Sequence, residues 1–345
     1  MDWTKLSFSY VKTNTILVSH YKNGQWSGPE SRTDDNITLN ALSASLQYGL
    51  QCFEGMKAFN GKDGKIRIFR PEENAERLNS SAAYLGIPCP GKELFLDMVK
   101  RAVAENKDFI PPYSTRGALY IRPTLIGTGG QLGLYPSAEA MFFIVVNPVG
   151  SYGGRTLEPV NAVISREYDR AAPNGSGPYK IGGNYAAAML ASSLARKAGY
   201  KAVLYLDPLE HKYIDEFSSS NFFAIKGDTY VTPLSGSILP SITNRSLEQI
   251  ARDLGMRTER RPVQTEELAG FEEAGECGTA VVITPVWRID DKTSLHSTEG
   301  VSYEFNHKNP AGERICGPKS FRLYERLTGI QYGEAEDRHR WCVIL

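Results

Sequence analysis

The sequence has no long apolar run, no surplus charge of either sign and no paired cysteines, and each absence removes a class of function. Lys plus Arg and Asp plus Glu both number 39 in 345 residues, so no global field attracts nucleic acid or an anionic membrane, although a local basic pocket remains open. No uninterrupted apolar segment approaches a membrane span, and MDWTKLSFSY lacks the basic head and apolar run of a secretory signal. The expectation is a cytoplasmic protein whose partners are small molecules, with no nucleic acid and no membrane. Cys52, Cys89, Cys277, Cys316 and Cys342 are scattered and odd in number, with neither CxxC spacing nor a zinc pattern alongside the histidines. They read as small buried or neutral residues, with no metal site expected.

What is present is enough apolar material, 41% of the chain, to bury a sizeable core, and a length better divided into two domains than kept as one. PEENAERLNSSAAYLG, 71–86, predicts a helix: Pro71 and two glutamates suit its first turn, Ala75, Leu78 and Ala82 recur at helical spacing, and Gly86 stops it. KELFLDMVKRAVAENKD predicts a second helix, and GALYIRP and AMFFIVVNPV read as strands. NPVGSYGGRT, 147–156, offers little to bury and marks a connection. The predicted organisation is a small N-terminal α/β domain over 1–148, a connection over 149–156 and a larger C-terminal domain over 157–345. Beyond the connection, NAVIS, KAVLYLD, SNFFAIKG, TYVTPL and TAVVITPVWRI read as strands, with helices over about 184–198, 245–254 and 318–328. The short strand turns favour an α+β fold with mixed sheets and flanking helices over a regular βαβ array.

GSGPYKIGGNYAAAML, 175–190, places one lysine in a glycine-lined passage before an alanine-rich helix that Asn184 is suited to cap. Lys180 is either an ordinary exposed lysine or a desolvated amine able to form an imine with a carbonyl. Other residues are equally two-sided when read alone. Asp215 and Glu216 form a solvated strand edge or a site carboxylate; Arg77 is a solvated helix charge or an anion ligand; Tyr48, Phe53 and Tyr185 are packing aromatics or pocket walls; Ser219 and Thr279 serve turns or a ligand. If LYIRP is a strand, Tyr120 and Arg122 face one side together.

YGLQCFEGMKAF at 48–59, ALYIRPTLIG at 118–127, GPYKIGGNYAAAML at 177–190 and YIDEFSSSNFF at 213–223, in this order over nearly the whole chain, resemble the branched-chain amino acid aminotransferases. These are fold-type IV enzymes dependent on pyridoxal 5′-phosphate. The resemblance implies a two-domain fold with a cofactor-binding C-terminal domain. Lys180 would hold the cofactor as an imine and move the substrate Cα proton, and Glu216 would pair with the pyridine nitrogen. Arg77, the backbone amides of Ile242 and Thr243, the Thr243 hydroxyl, Ser219 and Thr279 would serve the phosphate side. Tyr185 would hydrogen-bond the phenolic oxygen. On the substrate side the resemblance implies Tyr48 and Phe53 as pocket residues, Tyr120 and Arg122 as a YxR element whose arginine meets the distal carboxylate of glutamate, and the amides of Thr279 and Ala280 at the α-carboxylate.

The implied reaction exchanges an amino group between L-leucine, L-isoleucine or L-valine and 2-oxoglutarate, giving branched 2-oxo acids and L-glutamate, in a homodimer. Its nearest rivals are a D-amino acid aminotransferase or an aminodeoxychorismate lyase of the same fold. The chain departs from the animal members at one place: Val281 and Thr284 stand where those carry a CxxC redox pair. No thiol switch is expected there.

Overall fold

Alternation in Ala118–Gly127 shows how the first sheet is built: Leu119, Ile121, Pro123 and Leu125 are buried, whereas Tyr120, Arg122 and Thr124 on the opposite face are half-buried. The computed structural model describes residues 1–150, 157–295 and 297–345, so most of the connection expected at 149–156 lies outside the described residues. Contacts divide the chain into two units, Met1–Ser151 with Tyr179–Gly182 and Gly329–Leu345, and Tyr152–Pro178 with Gly183–Thr328.

The first unit carries a nine-stranded sheet ordered Cys342–Ile344, Ile66–Phe69, Met56–Asn60, Ala118–Gly127, Ala140–Val149, Ile16–Lys22 and Gln25–Trp26, with Glu30–Arg32 beside Ile16–Lys22 and Gln51–Phe53 beside Ala118–Gly127. The predicted helices form as Pro71–Leu85 and Gly91–Glu105. Gly86 ends the first at φ 65°, a left-handed turn that glycine adopts without strain. Leu78 and Ala82 from one helix and Phe95, Met98 and Val99 from the other join Ile121, Leu125, Phe142 and Ile144 in a core.

The second unit contains another nine-stranded sheet, in which Ile214–Phe217, Ala202–Leu206, Val160–Ile164, Val282–Lys292, Glu273–Gly278 and Asn221–Lys226 follow one another and the last pairs back with the first. That pairing closes six strands into a barrel-like ring. Pairings on both sides of Val160–Ile164 are parallel and others in the ring are antiparallel, so the α+β architecture with mixed pairing and flanking helices is present. Thr229–Pro233 and Arg257–Arg261 extend the sheet beyond the ring.

Two local expectations are corrected. The helix expected over 184–198 begins at Gly182 and is broken at Ala188 into Gly182–Ala187 and Met189–Lys197. Asn184 therefore lies inside the first turn, where its amide donates to the Ser176 carbonyl at 2.8 Å and accepts from the Ser176 hydroxyl at 2.6 Å. The strand expected from Thr279 starts only at Val282, because Thr279, Ala280 and Val281 make the turn out of Glu273–Gly278.

Phe142 is fully buried and stacks on Phe95 with ring centroids 5.7 Å apart. Phe142→Ala should lower the unfolding free energy of the first unit by about 3 to 5 kcal/mol, checked by urea titration.

Candidate active site

Lys180 is fixed by its backbone. Its N–H donates to Ser81 Oγ at 2.9 Å, its carbonyl accepts from the Phe53 N–H at 3.0 Å, and Ile181 bridges to Cys52. Ser81 in turn donates to the Arg77 carbonyl at 3.0 Å, one turn back along Pro71–Leu85. The helix that carries Arg77 thus also holds the lysine segment, and Tyr179 stacks on Tyr84 of that helix with centroids 4.1 Å apart. The Lys180 ammonium lies 4.9 Å from the Phe53 ring centroid.

The Phe53 ring also receives Arg122, whose guanidinium carbon is 4.7 Å from its centroid. Sheet register explains the meeting. Phe53 pairs with Thr124, so it shares a face with Arg122 and Tyr120, and Arg122 Nη2 donates to Tyr120 Oη at 3.1 Å. Arg122 Nε is buried without a hydrogen-bond partner among the described residues. Gly55 is required beside this pair, since a Cβ there would come within 2.1 Å of Tyr120 Oη. The structure therefore brings Phe53, Tyr120, Arg122 and Lys180 together, and it adds two residues the sequence reading missed. Phe8 packs edge-on to Tyr120 at 5.5 Å, and Lys57, paired with Tyr120 across the sheet, joins the same face while buried enough to hold its pKa down to about 8. Strand alternation from Phe53 through Gly55 to Lys57 was the available signal for Lys57; nothing local pointed to Phe8. Tyr48 is exposed, with its hydroxyl donating to the Leu132 carbonyl.

In the second unit the adjacent acids are both buried, not a solvated edge, and point to different partners. Asp215 accepts from the Ser237 hydroxyl. Glu216 Oε1 accepts from the Leu239 N–H at 2.8 Å and pairs with Arg170 Nη2 at 3.0 Å, and Oε2 accepts from Asn221 Nδ2 at 2.7 Å. Burial raises the Glu216 pKa, opposed by Arg170, the Leu239 amide and Asn221. A carboxylate offers about four acceptor positions, and the Leu239 N–H and the Asn221 amide fill two of them, so room remains for a further N–H. Arg170 and Asn221 were not legible in the sequence, because folding alone brings Arg170, from the segment after Val160–Ile164, and Asn221, from the strand paired with Glu216, to the carboxylate.

Leu239 leads into the helix Ile242–Asp253, where Ser241 caps the first turn by accepting from the Asn244 N–H at 3.2 Å. Ile242 and Thr243 are buried at this N-terminus, whose oriented N–H groups and dipole suit a phosphate. Ser219 lies in the exposed turn before Asn221, and a Cβ on Gly278 would be 3.9 Å from the Ser219 carbonyl oxygen, so that turn and the one holding Thr279 and Ala280 approach each other. The latter turn ends at Val282 with φ 63°, a strained conformation for a β-branched residue and one concentrated at functional sites. Tyr185 is half-buried on Gly182–Ala187. Within the second unit, the open acceptor position on Glu216 and the capped helix N-terminus are of the kinds that a pyridine N–H and a phosphate require.

Arg77 is not a solvated charge. Its Nε and Nη2 donate to the two oxygens of Glu54 at 2.7 and 2.8 Å, and Asn74 Nδ2 adds a bond to the same carboxylate at 2.6 Å. Glu54 is fully buried, so the pair fixes the guanidinium in a dry setting. Glu54→Gln should leave Arg77 uncompensated and cost about 3 kcal/mol of stability, read from the shift of the urea midpoint at unchanged slope.

A family model described as class IV amino-transferase matches residues 51–289. A branched-chain-amino-acid aminotransferase of Haemophilus influenzae is 42% identical, over 99% of this chain and 98% of its own. Among solved structures, the Escherichia coli branched-chain amino acid aminotransferase superposes with TM-score 0.78 at 28% identity, over 96% of this chain and 99% of its own. A T.th. enzyme of the same name, solved with pyridoxamine 5′-phosphate, gives TM-score 0.78 at 25% identity over 97% and 99%. Together with the geometry around Lys180 and Glu216, these matches establish that the chain belongs to the branched-chain-amino-acid aminotransferase family of class IV amino-transferases.

Proposed function

We propose that this protein reversibly moves an amino group between L-leucine, L-isoleucine or L-valine and 2-oxoglutarate, giving branched 2-oxo acids and L-glutamate, with pyridoxal 5′-phosphate as cofactor. The observation that carries the reading is the Phe53 ring with the Lys180 ammonium 4.9 Å from its centroid and the Arg122 guanidinium 4.7 Å from it. A candidate base and a cation for a distal carboxylate share one aromatic wall. One face can thus accept a branched apolar side chain against Phe53 and Tyr120 and a carboxylate against Arg122.

When bound, the cofactor supplies an electron sink for the carbon that loses its proton. Lys180 would anchor its carbonyl carbon and, once displaced by the substrate amine, take and return the proton at Cα. Glu216 would accept the pyridine N–H, and Tyr185 would donate to the phenolic oxygen. Arg77, the amides of Ile242 and Thr243, the Thr243 hydroxyl, Ser219 and Thr279 would bind the phosphate, and the Thr279 and Ala280 amides the substrate α-carboxylate. Tyr48 would contribute to the side-chain pocket.

A homodimer belongs to the same reading. Leu42, Leu46, Tyr48, Leu132, Leu134 and Tyr135 form an exposed apolar surface, joined by the Tyr48–Leu132 hydrogen bond and by Gln131 N–H donating to the Leu42 carbonyl at 2.9 Å. Such a patch suits a second copy of the chain. A cytoplasmic location is proposed with it, in keeping with a bacterial relative. Among the described residues no helix is long and apolar enough to cross a membrane.

Borohydride treatment of the protein loaded with pyridoxal phosphate, followed by peptide mass analysis, should place the cofactor on Lys180; consistent labelling of another lysine would overturn the assignment. Arg122→Met should slow the glutamate half-reaction at least about tenfold more than the leucine half-reaction, since a charge-assisted bond contributes about 1.5 to 3 kcal/mol and leucine has no distal charge. Pre-steady-state rates with both L-amino acids, and with their D-enantiomers as a chirality control, check this.

A further inference from the structure

Behind Glu216 lies a chain of buried polar side chains that no step above uses. Asn221 Oδ1 accepts from Asn244 Nδ2 at 3.0 Å, Asn244 Nδ2 also donates to Thr232 Oγ1 at 2.8 Å, and Asn244 Oδ1 accepts from Tyr230 Oη at 2.8 Å. Thr232 spends its own proton on the Phe222 carbonyl at 2.9 Å. Every member is less than 4% exposed: Tyr230 0%, Thr232 1%, Asn244 1%, Asn221 3% and Glu216 3%.

The direction of this chain is determined by its chemistry. Because the Thr232 hydroxyl donates to a carbonyl, it can only accept from Asn244, which puts the Asn244 amino group toward Thr232 and Asn221 and its carbonyl toward Tyr230. Asn221 must then present its carbonyl to Asn244. Its amino group is left for Glu216 Oε2 at 2.7 Å and the Leu239 carbonyl at 3.1 Å. An asparagine that could flip would offer an oxygen to a carboxylate, a repulsive contact in a dry interior; the locked one cannot.

We propose that Asn221, oriented by Asn244, Thr232 and Tyr230, is a positioning residue that aims an N–H at Glu216 Oε2 and thereby keeps the buried carboxylate an acceptor for the pyridine N–H. The proposal rests on the assignment of Glu216 to the pyridine nitrogen. A merely structural Asn221 would affect every ligand alike, whereas a positioning role concerns only a ligand with a ring nitrogen.

The test uses the full chain freed of cofactor and measures, by calorimetry, affinity for pyridoxal 5′-phosphate and for its 1-deaza analogue, in which C–H replaces the ring nitrogen. The unaltered protein should prefer the natural compound. Asn221→Leu should reduce that preference about tenfold or more, the range for a lost bond to a charged group, with analogue affinity changed less than about twofold. Tyr230→Phe, which keeps the ring and so preserves the test if Asn221→Leu does not fold, should reduce it about threefold by releasing Asn244. An unchanged preference, or equal losses for both compounds, overturns the proposal. An unaltered protein that fails to distinguish the two compounds overturns the Glu216 assignment and this proposal with it, whereas selective loss in the variants supports both.

Discussion

The hold on the Lys180 peptide is the constraint on which the candidate site residues of the first unit depend. A lysine side chain carries four rotatable bonds, so the role proposed for Lys180 would need at least its backbone fixed. Ser81 and Phe53 do this from two secondary elements, a helix and a strand. The same strand presents the Phe53 ring to Arg122, and the same helix carries Arg77. Lysine, aromatic wall and guanidinium therefore take their places from one frame, in which a shift of the helix would move the amine.

The buried charges follow a common rule with different solutions. Glu54 is answered by the fork of Arg77 and the Asn74 amide, an arrangement that leaves the pair rigid and dry. Glu216 is answered by Arg170, a backbone N–H and Asn221 and retains an acceptor position, so its partners stabilise the charge without using all of it. The first suits a scaffold for an anion-binding arginine; the second suits a carboxylate that must still engage a ligand.

Much was legible before folding. The helix at 71–85 followed from Pro71, the spacing of Ala75, Leu78 and Ala82, and Gly86. The shared face of Tyr120 and Arg122 followed from period-two alternation and needed only that 118–127 be a strand. The break at Ala188 and the turn at Thr279–Val281 were missed because alanine and β-branched residues have the propensities of the helix and the strand they interrupt, and tertiary packing overrode them.

The sequence by itself determined the periodic elements, the chemical kinds of group at the site and, through the order of four motifs, the resemblance to an aminotransferase family. Those are properties of neighbours along the chain, where spacing of three, four or two residues decides which side chains share a face. Only the tertiary structure decided that Arg77 meets Glu54, that Lys57 joins the face of Arg122, and that Asn221 is held against Glu216 by residues as distant as Tyr230 and Asn244. Burial and hydrogen-bond direction depend on strands brought together by pairing, and no local pattern records which donor a buried carboxylate will find.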